Sequence, residues 1–326
     1  MAKLNMVQAL NLALDQEMAR DDRVVLLGED VGLDGGVFRV TDGLINKYGE
    51  ERVIDTPIAE SAIYGSAIGM ALAGLKPVAE MQFSGFSYYL LHQLESHASR
   101  FRSRTQGQWH VPLVVRMPYG GAVRALEHHS ESREATFAHF PGVKVVIPST
   151  PRNARALLTA SIRDPDPVVF MEPKRSYRAF REEVPEEEEV IEIGKAKVVQ
   201  DGNDLTVVAW GAMMRPTLQA VAAVQERRGV SIEVIDLLTI APMDGRTIVR
   251  SVEKTGRCVV VQEAPKSFSV AAEIIAKIND KGLLSLEAPV KRVTHYDVVT
   301  PYFGRELLYI PDVGRIIRSI EETIDF

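Results

Sequence analysis

The chain has 326 residues, of which 46% are hydrophobic and 25% are charged, and this length can bury one or two substantial cores. Its net charge of −6 and its pI near 5.7 disfavour a nucleic-acid partner, because phosphate binding needs clustered Lys and Arg. The only cysteine, Cys258, excludes an intrachain disulfide and favours a reducing, cytoplasmic setting. No leader-like pattern or bilayer-spanning apolar run is found, so a membrane partner is also disfavoured.

Helical and strand patterns alternate along the first part of the chain. Asn5 is expected to cap the first helix, and Thr150 with Pro151 is expected to start a helix that continues to Ile162. Strands are predicted at 24–27, 53–54, 78–83, 113–116 and 143–147, and further helices at about 60–73 and 86–102. Valine-rich strands separated by helices predict an α/β fold with a mainly parallel sheet covered on both faces.

An acidic, proline-containing stretch at residues 181–189 interrupts this alternation. Such a composition is typical of an exposed connection, so we expect one domain at 1–185 and a second at 186–326. In the second domain, strands predicted at 206–209, 232–235, 259–261 and 290–293 again alternate with helices. The second domain is therefore expected to be a smaller α/β unit.

Glu60 is the first candidate for chemistry. It stands at the start of a predicted helix, directly before the uncharged residues 61–75, where close packing would place its carboxylate against an apolar wall. Carboxyl groups in such places often titrate abnormally. Taken alone, the residue is explained more simply as a first-turn glutamate that favours the positive end of a helix. The sequence around it changes that balance.

The segments Arg52–Glu60 and Ala71–Phe83 closely resemble beta subunits of the thiamine-diphosphate-dependent decarboxylating component of 2-oxoacid dehydrogenase complexes. Similar blocks follow the family order over essentially the whole chain: Gly28–Val31, Gly35–Phe38, His129–Ser130, Pro141–Pro148, Asp166–Lys174, Ile235–Thr239, Lys254–Arg257, Val261–Ala264 and Leu286–Val290. Many ordered blocks are far more specific than one short motif. The resemblance implies a transketolase-like pyrimidine-binding domain followed by a transketolase C-terminal-like domain.

The resemblance also implies roles at the cofactor. Glu60 would hold a proton with N1′ of the pyrimidine, as general acid-base work requires. Phe86 would face the pyrimidine ring, Ile58 and Gln82 would line the site, and Glu29 would belong to a polar network toward the partner active site. Without the resemblance, Phe86 and Ile58 would be interpreted as core residues, since apolar side chains are usually buried for packing alone.

Two further sets of residues follow from the resemblance. His129 would steer proton transfer and reductive acylation of a lipoyl group, and it is chosen over the adjacent His128 because Ser130 follows it. By itself, a loop histidine would be interpreted as a solvated side chain. A structural potassium ion would be bound largely by backbone carbonyls at Leu113, Ser161, Asp164 and Asp166. Asp166 departs from the commoner asparagine, and the alternative interpretation of this segment is a helix end and a turn.

The resemblance implies partners. The diphosphate and its Mg²⁺ would be held by an alpha subunit in an α2β2 heterotetramer, and this sequence lacks the Gly-Asp-Gly motif that begins the diphosphate site. Subunit-binding and lipoyl domains of an acyltransferase component would complete the complex. The expected substrate is pyruvate, slightly favoured over a branched-chain 2-oxoacid or acetoin.

Two other classes of function stay open at this point. A self-sufficient transketolase-like enzyme would carry its own diphosphate domain, for which this chain is too short. A non-catalytic assembly subunit would tolerate the loss of Glu60 or of the loop histidine, and both are present.

Overall fold

The computed structural model describes residues 2–326, and the first part of the chain alternates helices and strands as predicted. Its helices are α1 (Met6–Arg20), α2 (Leu44–Tyr48), α3 (Glu60–Leu72), α4 (Tyr88–Ser96), α5 (Phe101–Arg104), α6 (Glu134–Ala138) and α7 (Pro151–Arg163). Its strands are β1 (Ala2–Leu4), β2 (Val24–Gly28), β3 (Val53–Asp55), β4 (Lys76–Glu80), β5 (Val114–Tyr119), β6 (Lys144–Val146), β7 (Val168–Pro173) and β8 (Glu182–Val184).

The second part of the chain repeats the alternation on a smaller scale. Its strands are β9 (Lys197–Gln200), β10 (Leu205–Ala209), β11 (Ile232–Asp236), β12 (Thr239–Ala241), β13 (Cys258–Val261) and β14 (Lys291–Val293). Its helices are α8 (Met214–Arg228), α9 (Gly245–Thr255), α10 (Val270–Gly282), α11 (Glu306–Tyr309) and α12 (Val313–Ile324).

The strands form two mainly parallel sheets, which confirms the predicted α/β class. The larger sheet has the order β12-β6-β7-β5-β4-β2-β3, and each neighbouring pair is parallel except β12 with β6. The smaller sheet has the order β14-β13-β10-β11-β9, and only its β9 edge pairs antiparallel. Strands β1 and β8 pair antiparallel with each other, so the start of the chain lies beside the acidic stretch.

The predicted helix starts are confirmed by their caps. The Asn5 side chain accepts a hydrogen bond from the Gln8 backbone amide at 3.0 Å, and the Gln8 side chain accepts one from the Asn5 amide at 3.1 Å. The Thr150 hydroxyl accepts from the Asn153 amide at 3.2 Å, with Pro151 in the first turn. Each cap satisfies backbone amides that have no partner inside the helix.

Several predicted elements differ in extent; the strand predicted at 113–116, for example, is Val114–Tyr119. The strand predicted at 78–83 is Lys76–Glu80, because its ladder with β2 sets its length. The helix predicted at 86–102 is divided near residue 97. The Ser99 hydroxyl and the Arg100 guanidinium both donate to the carbonyl of Glu95, at 2.8 and 2.9 Å. Such side-chain bonds compete with the backbone ladder of a helix.

Both faces of the larger sheet are buried, which its continuous valine runs predicted. Val114 and Val115 are neighbours in β5, yet they belong to different hydrophobic clusters because side chains alternate across a strand. One cluster lies under α1 and α7. The other contains Tyr64 and Phe137 from the first part of the chain and Trp210 from the second. The second part therefore packs directly against the larger sheet.

Candidate active site at the carboxyl edge of the larger sheet

The predicted site residues follow the carboxyl ends of neighbouring parallel strands. Glu29 comes directly after β2, Glu60 begins α3 after β3, Gln82 follows β4, and His129 lies in the loop after β5. Parallel strands present their carboxyl ends at one edge of a sheet, and ligands of open α/β sheets bind outside that edge. The topology therefore brings residues from four distant segments to the same edge.

Glu29 and Glu60 form an acidic pair at this edge. Glu29 is only 7% exposed, and burial raises its pKa to about 7, with the nearby charges of Glu60, Asp30 and Glu80 acting in the same direction. Glu60 is half-buried in the first turn of α3. A carboxyl group that is partly protonated near neutral pH thus lies close to a second carboxyl group that solvent can reach.

Tyr64 and Gln82 extend this acidic group. Tyr64 lies one turn after Glu60, is fully buried, and its hydroxyl has no hydrogen-bond partner among residues 2–326. Burial raises the pKa of Tyr64 well above its usual value, and the charges of Glu80, Glu29 and Glu60 add to the effect. The Gln82 amide donates to Asp30 Oδ2 at 3.4 Å. The loops after β2 and β4 are therefore in contact at the site.

A buried ionic triad lies beneath the edge and ties three strands together. Arg116 of β5 is 2% exposed, and it donates to Glu172 of β7 at 2.7 and 3.0 Å and to Glu80 of β4 at 2.8 Å. The hydroxyl of Tyr177 also donates to Glu172. A buried cation needs such partners, because the loss of hydration is otherwise uncompensated. The triad fixes the ends of the strands that carry the site loops.

Phe86 and His129 meet at the same edge. Their ring centroids are 5.3 Å apart in an edge-to-face arrangement, and Phe83 contacts both rings at 6.0 and 4.4 Å. His128 is exposed and lies 6.2 Å from Phe86. A Cβ on Gly85 would lie 1.9 Å from the His128 carbonyl oxygen, so only glycine permits this approach of the two loops. Of the two histidines, His129 is the one enclosed by aromatic rings.

Lys174 lies behind His129 and was not singled out from the sequence. It follows β7, is 5% exposed, and donates to the His129 carbonyl oxygen while its ammonium stands 5.1 Å from the Phe83 ring centre. Burial lowers the pKa of Lys174 to about 8. Burial also lowers the pKa of His129, and the charges of Lys174 and His128 add to that effect. The His129 imidazole is therefore neutral at neutral pH. The sequence feature that could have indicated Lys174 is its position directly after a strand of mostly apolar residues.

Ile58 corrects one simple interpretation of the sequence. It is 84% exposed on the loop between β3 and α3, so it is not a core residue, whereas Phe86 is half-buried. An exposed large apolar side chain beside a cluster of titratable groups is available to a ligand or to another chain.

The residues proposed for a potassium ion lie near one another, but their carboxylates have other partners. Asp164 accepts from Lys144 Nζ at 2.7 Å through each of its oxygens, and Asp166 accepts from Arg102 at 2.6 Å. The Leu113 carbonyl accepts from the Val168 amide at 2.9 Å, and the Ser161 carbonyl accepts from the Asp164 amide at 3.3 Å. Among residues 2–326, no group of three or more His, Cys, Asp or Glu is placed to hold a metal ion.

Comparison with known proteins agrees with this geometry. Residues 2–179 match the family described as transketolase, pyrimidine binding domain, and residues 194–316 match transketolase, C-terminal domain. The pyruvate dehydrogenase E1 component subunit beta of Acholeplasma laidlawii is 53% identical over 322 residues, which cover 99% of this chain and 98% of that protein. The corresponding subunit of Bacillus subtilis strain 168 is 48% identical over 326 residues, all of both chains. The chain belongs to this family of E1 beta subunits.

The predicted family is thereby confirmed, and a solved structure shares the fold. A solved structure described as split gene transketolase, inactive beta4 tetramer, matches with a TM-score of 0.79 at 20% identity, covering 99% of each chain. At that identity the likeness shows the fold alone. No helix among residues 2–326 of this E1 beta subunit is long and apolar enough to cross a membrane.

Proposed function

We propose that this E1 beta subunit supplies the pyrimidine half of a thiamine diphosphate site and acts in the oxidative decarboxylation of pyruvate, with transfer of the acyl group to a lipoyl group. When bound, the cofactor would supply a carbon nucleophile for the 2-oxo group and an electron sink for decarboxylation. The observation that carries the proposal is the acidic pair of Glu29 and Glu60 at the carboxyl edge. A carboxyl group that can hold a proton near neutral pH suits a basic ring nitrogen.

The residues at the edge fit an aminopyrimidine. Glu60 would share a proton with the ring nitrogen, and the nearby Glu29, whose pKa burial raises to about 7, can itself carry a proton near neutral pH. Phe86 offers a ring face, and Gln82 offers an amide for the polar side of the ligand. Aromatic stacking and a few placed polar groups are the usual means of orienting such a ring.

His129 would move a proton during acyl transfer. Its imidazole is neutral near pH 7 because burial and the Lys174 charge lower its pKa, so it can accept the hydroxyl proton released as the acyl group forms. The lipoyl disulfide would be the oxidant: its S–S bond breaks as the new C–S bond forms, and the proton held by His129 passes to the sulfur that leaves. Its contact with Phe83 and Phe86 fixes the ring next to the proposed cofactor face.

Partners complete the proposed site. An alpha subunit would bring the diphosphate ligands and Mg²⁺ in an α2β2 heterotetramer, and the exposed Ile58 supports a site that another chain covers. Subunit-binding and lipoyl domains of an acyltransferase component would dock on the assembly.

The proposal also includes a domain division at 185/186, a cytoplasmic location and a potassium ion at Leu113, Ser161, Asp164 and Asp166. The only cysteine of the sequence, Cys258, forms no disulfide, which fits a reducing compartment.

The proposal is tested by replacing the proton-holding carboxyl group. The chain is co-expressed with an alpha subunit, and decarboxylation of pyruvate is measured for wild type and for Glu60→Gln. An amide preserves shape but cannot give up the proton, so we expect the loss of about 100-fold or more that general acid-base catalysis contributes. The matched control is Glu50→Gln, an exposed glutamate before β3 at the opposite end of the strand. Near-normal turnover by an assembled Glu60→Gln complex would refute the role.

Substrate choice is tested in the same preparation. Turnover is compared for pyruvate, a branched-chain 2-oxoacid and acetoin at equal concentrations. The two relatives described above, each about half identical to this chain, carry the pyruvate dehydrogenase name and support pyruvate. A higher kcat/KM for either other substrate would overturn that part of the proposal.

A further inference from the structure

The loop that carries His129 is held from the second part of the chain. Glu306, the first residue of α11, accepts from the backbone amides of Ala122 at 2.7 Å and Arg124 at 2.9 Å. It also accepts from the Ser130 hydroxyl at 3.4 Å. Glu263, which follows β13, accepts from the Gly121 amide at 2.6 Å. Two carboxylates from one part of the chain thus bind the backbone of a loop in the other.

Both carboxylates are buried, so these bonds are shielded from water. Glu306 is 1% exposed and Glu263 is 3% exposed. Burial raises the pKa of Glu263 to about 7, so the charge-assisted hydrogen bonds near neutral pH are chiefly those of Glu306, and a low-dielectric setting strengthens such bonds. The ammonium of Lys174 interacts favourably with both carboxylates and donates to the His129 carbonyl. The loop is therefore fixed near its start by Glu263 and Glu306 and at His129 by Lys174.

The conformation of the loop requires such support. Ala122, Arg124 and Leu126 have φ values of 65°, 57° and 66°, in the left-handed region. Residues other than glycine adopt this region at a cost, and they remain there only where the surroundings impose it. Glu306 binds the amides of two of these three residues. The carboxylate thus favours the strained form that carries His129 to Phe83 and Phe86.

We infer that Glu306 is a positioning residue for acyl transfer, acting through the backbone of the loop to place His129. This inference rests on the proposed role of His129. The acidic pair of Glu29 and Glu60 follows other strands and makes no hydrogen bond to Glu306. The two half-reactions should therefore respond differently: acyl transfer needs the placed histidine, whereas decarboxylation depends on the acidic pair. Catalytic groups must be held within a fraction of an ångström to act.

The test uses the assembled complex and separates the half-reactions. Decarboxylation is followed with an artificial electron acceptor, and acyl transfer is followed as acylation of an isolated lipoyl domain. In Glu306→Gln, an NH₂ group replaces one accepting oxygen, so one loop amide faces a donor. We expect acyl transfer to fall about 10- to 100-fold, the effect of losing one hydrogen bond to a charged group, and decarboxylation to change less than about threefold. Glu226→Gln, exposed on α8, is the matched control and should leave both rates unchanged.

A double variant shows whether Glu306 acts through the histidine. If it does, Glu306→Gln combined with His129→Ala should be no slower in acyl transfer than His129→Ala alone, because coupled residues are not additive. Independent, multiplying losses would overturn the inference. So would an equal loss in both half-reactions.

Hydrogen exchange gives a readout that does not depend on activity. Backbone amides of residues 120–130 should exchange faster in Glu306→Gln and at the wild-type rate in Glu226→Gln. If His129→Ala transfers acyl groups normally, the proposed role of that histidine fails, and faster exchange still supports placement of the loop by Glu306. Unchanged exchange overturns the placement.

A second variant covers the case in which Glu306→Gln does not assemble. A Cβ on Gly121 would lie 3.0 Å from Glu306 Oε1 and 3.0 Å from Ile310 Cδ1. Gly121→Ala therefore crowds the carboxylate and the Ile310 side chain, so that the loop and Glu306 must shift relative to each other, and it adds no polar group. It should reproduce the selective loss of acyl transfer. If the variant changes the rates of acyl transfer and of decarboxylation by the same factor relative to wild type, the inference is wrong.

Discussion

Replacing Glu134 by glutamine should change how stability depends on pH. Glu134 begins α6, is fully buried, and accepts from the Gln262 side chain at 3.0 Å, so it links the two parts of the chain. Burial raises its pKa from 4.5 to about 7, although hydrogen bonds from Gln262 and Trp210 favour the ionised form. Between these two pH values the folded chain keeps a proton that the unfolded chain has lost. The free energy of unfolding of the wild type therefore falls as pH rises through this window.

The magnitude follows from the pKa change. Each pH unit in the window is worth about 1.4 kcal/mol, so the whole window is worth about 3 kcal/mol. Glu134→Gln removes the titrating carboxyl group, while the carbonyl oxygen of the glutamine can still accept a hydrogen bond from Gln262. Relative to wild type, the unfolding free energy of the variant should rise by about 3 kcal/mol between pH 4.5 and 7 and then stay constant.

Denaturant titrations across that pH range give the measurement. Fluorescence of Trp210, which is buried beside Glu134, reports the region when Trp109, the other tryptophan, is replaced by Phe in every variant. The exposed Glu226→Gln is again the control, and taking variant-minus-wild-type differences cancels other titrating groups. Parallel pH curves for Glu134→Gln and the wild type would refute the reasoning.

Three further predictions concern the proposed site. His129→Ala should slow acylation of a lipoyl domain more than His128→Ala does, because His129 contacts Phe83 and Phe86 while His128 is exposed. Gly85→Ala should lower the rate of lipoyl-domain acylation about tenfold, because its Cβ would collide with the His128 carbonyl. Overpacking of this kind typically costs about 1 to 3 kcal/mol. The isolated chain should bind thiamine diphosphate weakly by calorimetry and be inactive, whereas adding an alpha subunit should give tight, Mg²⁺-dependent binding, since desolvation of a diphosphate needs a metal or several donors.

Each of these has an outcome that contradicts it. If His128→Ala slowed acylation more than His129→Ala, the acting histidine would be His128 rather than His129. A Gly85→Ala complex with normal acylation would show that the loops can separate without effect. Gly69→Ala is its control for glycine replacement, because nothing lies within 4 Å of a Cβ there and Gly69 does not have a left-handed backbone conformation. Binding of the cofactor by the isolated chain at about micromolar affinity or tighter would demand a complete diphosphate site in this chain.

The sequence predicted local features of the fold closely. The caps at Asn5 and Thr150 are present because they depend on side chains within three residues of the helix start. The α/β class followed from valine runs that only a sheet buried on both faces explains. By contrast, β12 was not predicted. Its three residues pair antiparallel with β6 of the larger sheet, and a run that short has no periodicity to reveal its partner.

The candidate site shows a similar division. Resemblance selected Glu29, Glu60, Gln82, Phe86 and His129, and the parallel topology brings their loops to one edge, but their roles remain predictions. The sequence by itself determined the family, the order of the elements and the residues to test, because these depend on local pattern and block order. Only the tertiary structure decided which groups share an environment. The pKa of Glu29, the burial of Lys174 and the contact of Glu306 with the histidine loop arise from segments up to 184 residues apart. Burial and charge act through space rather than along the chain.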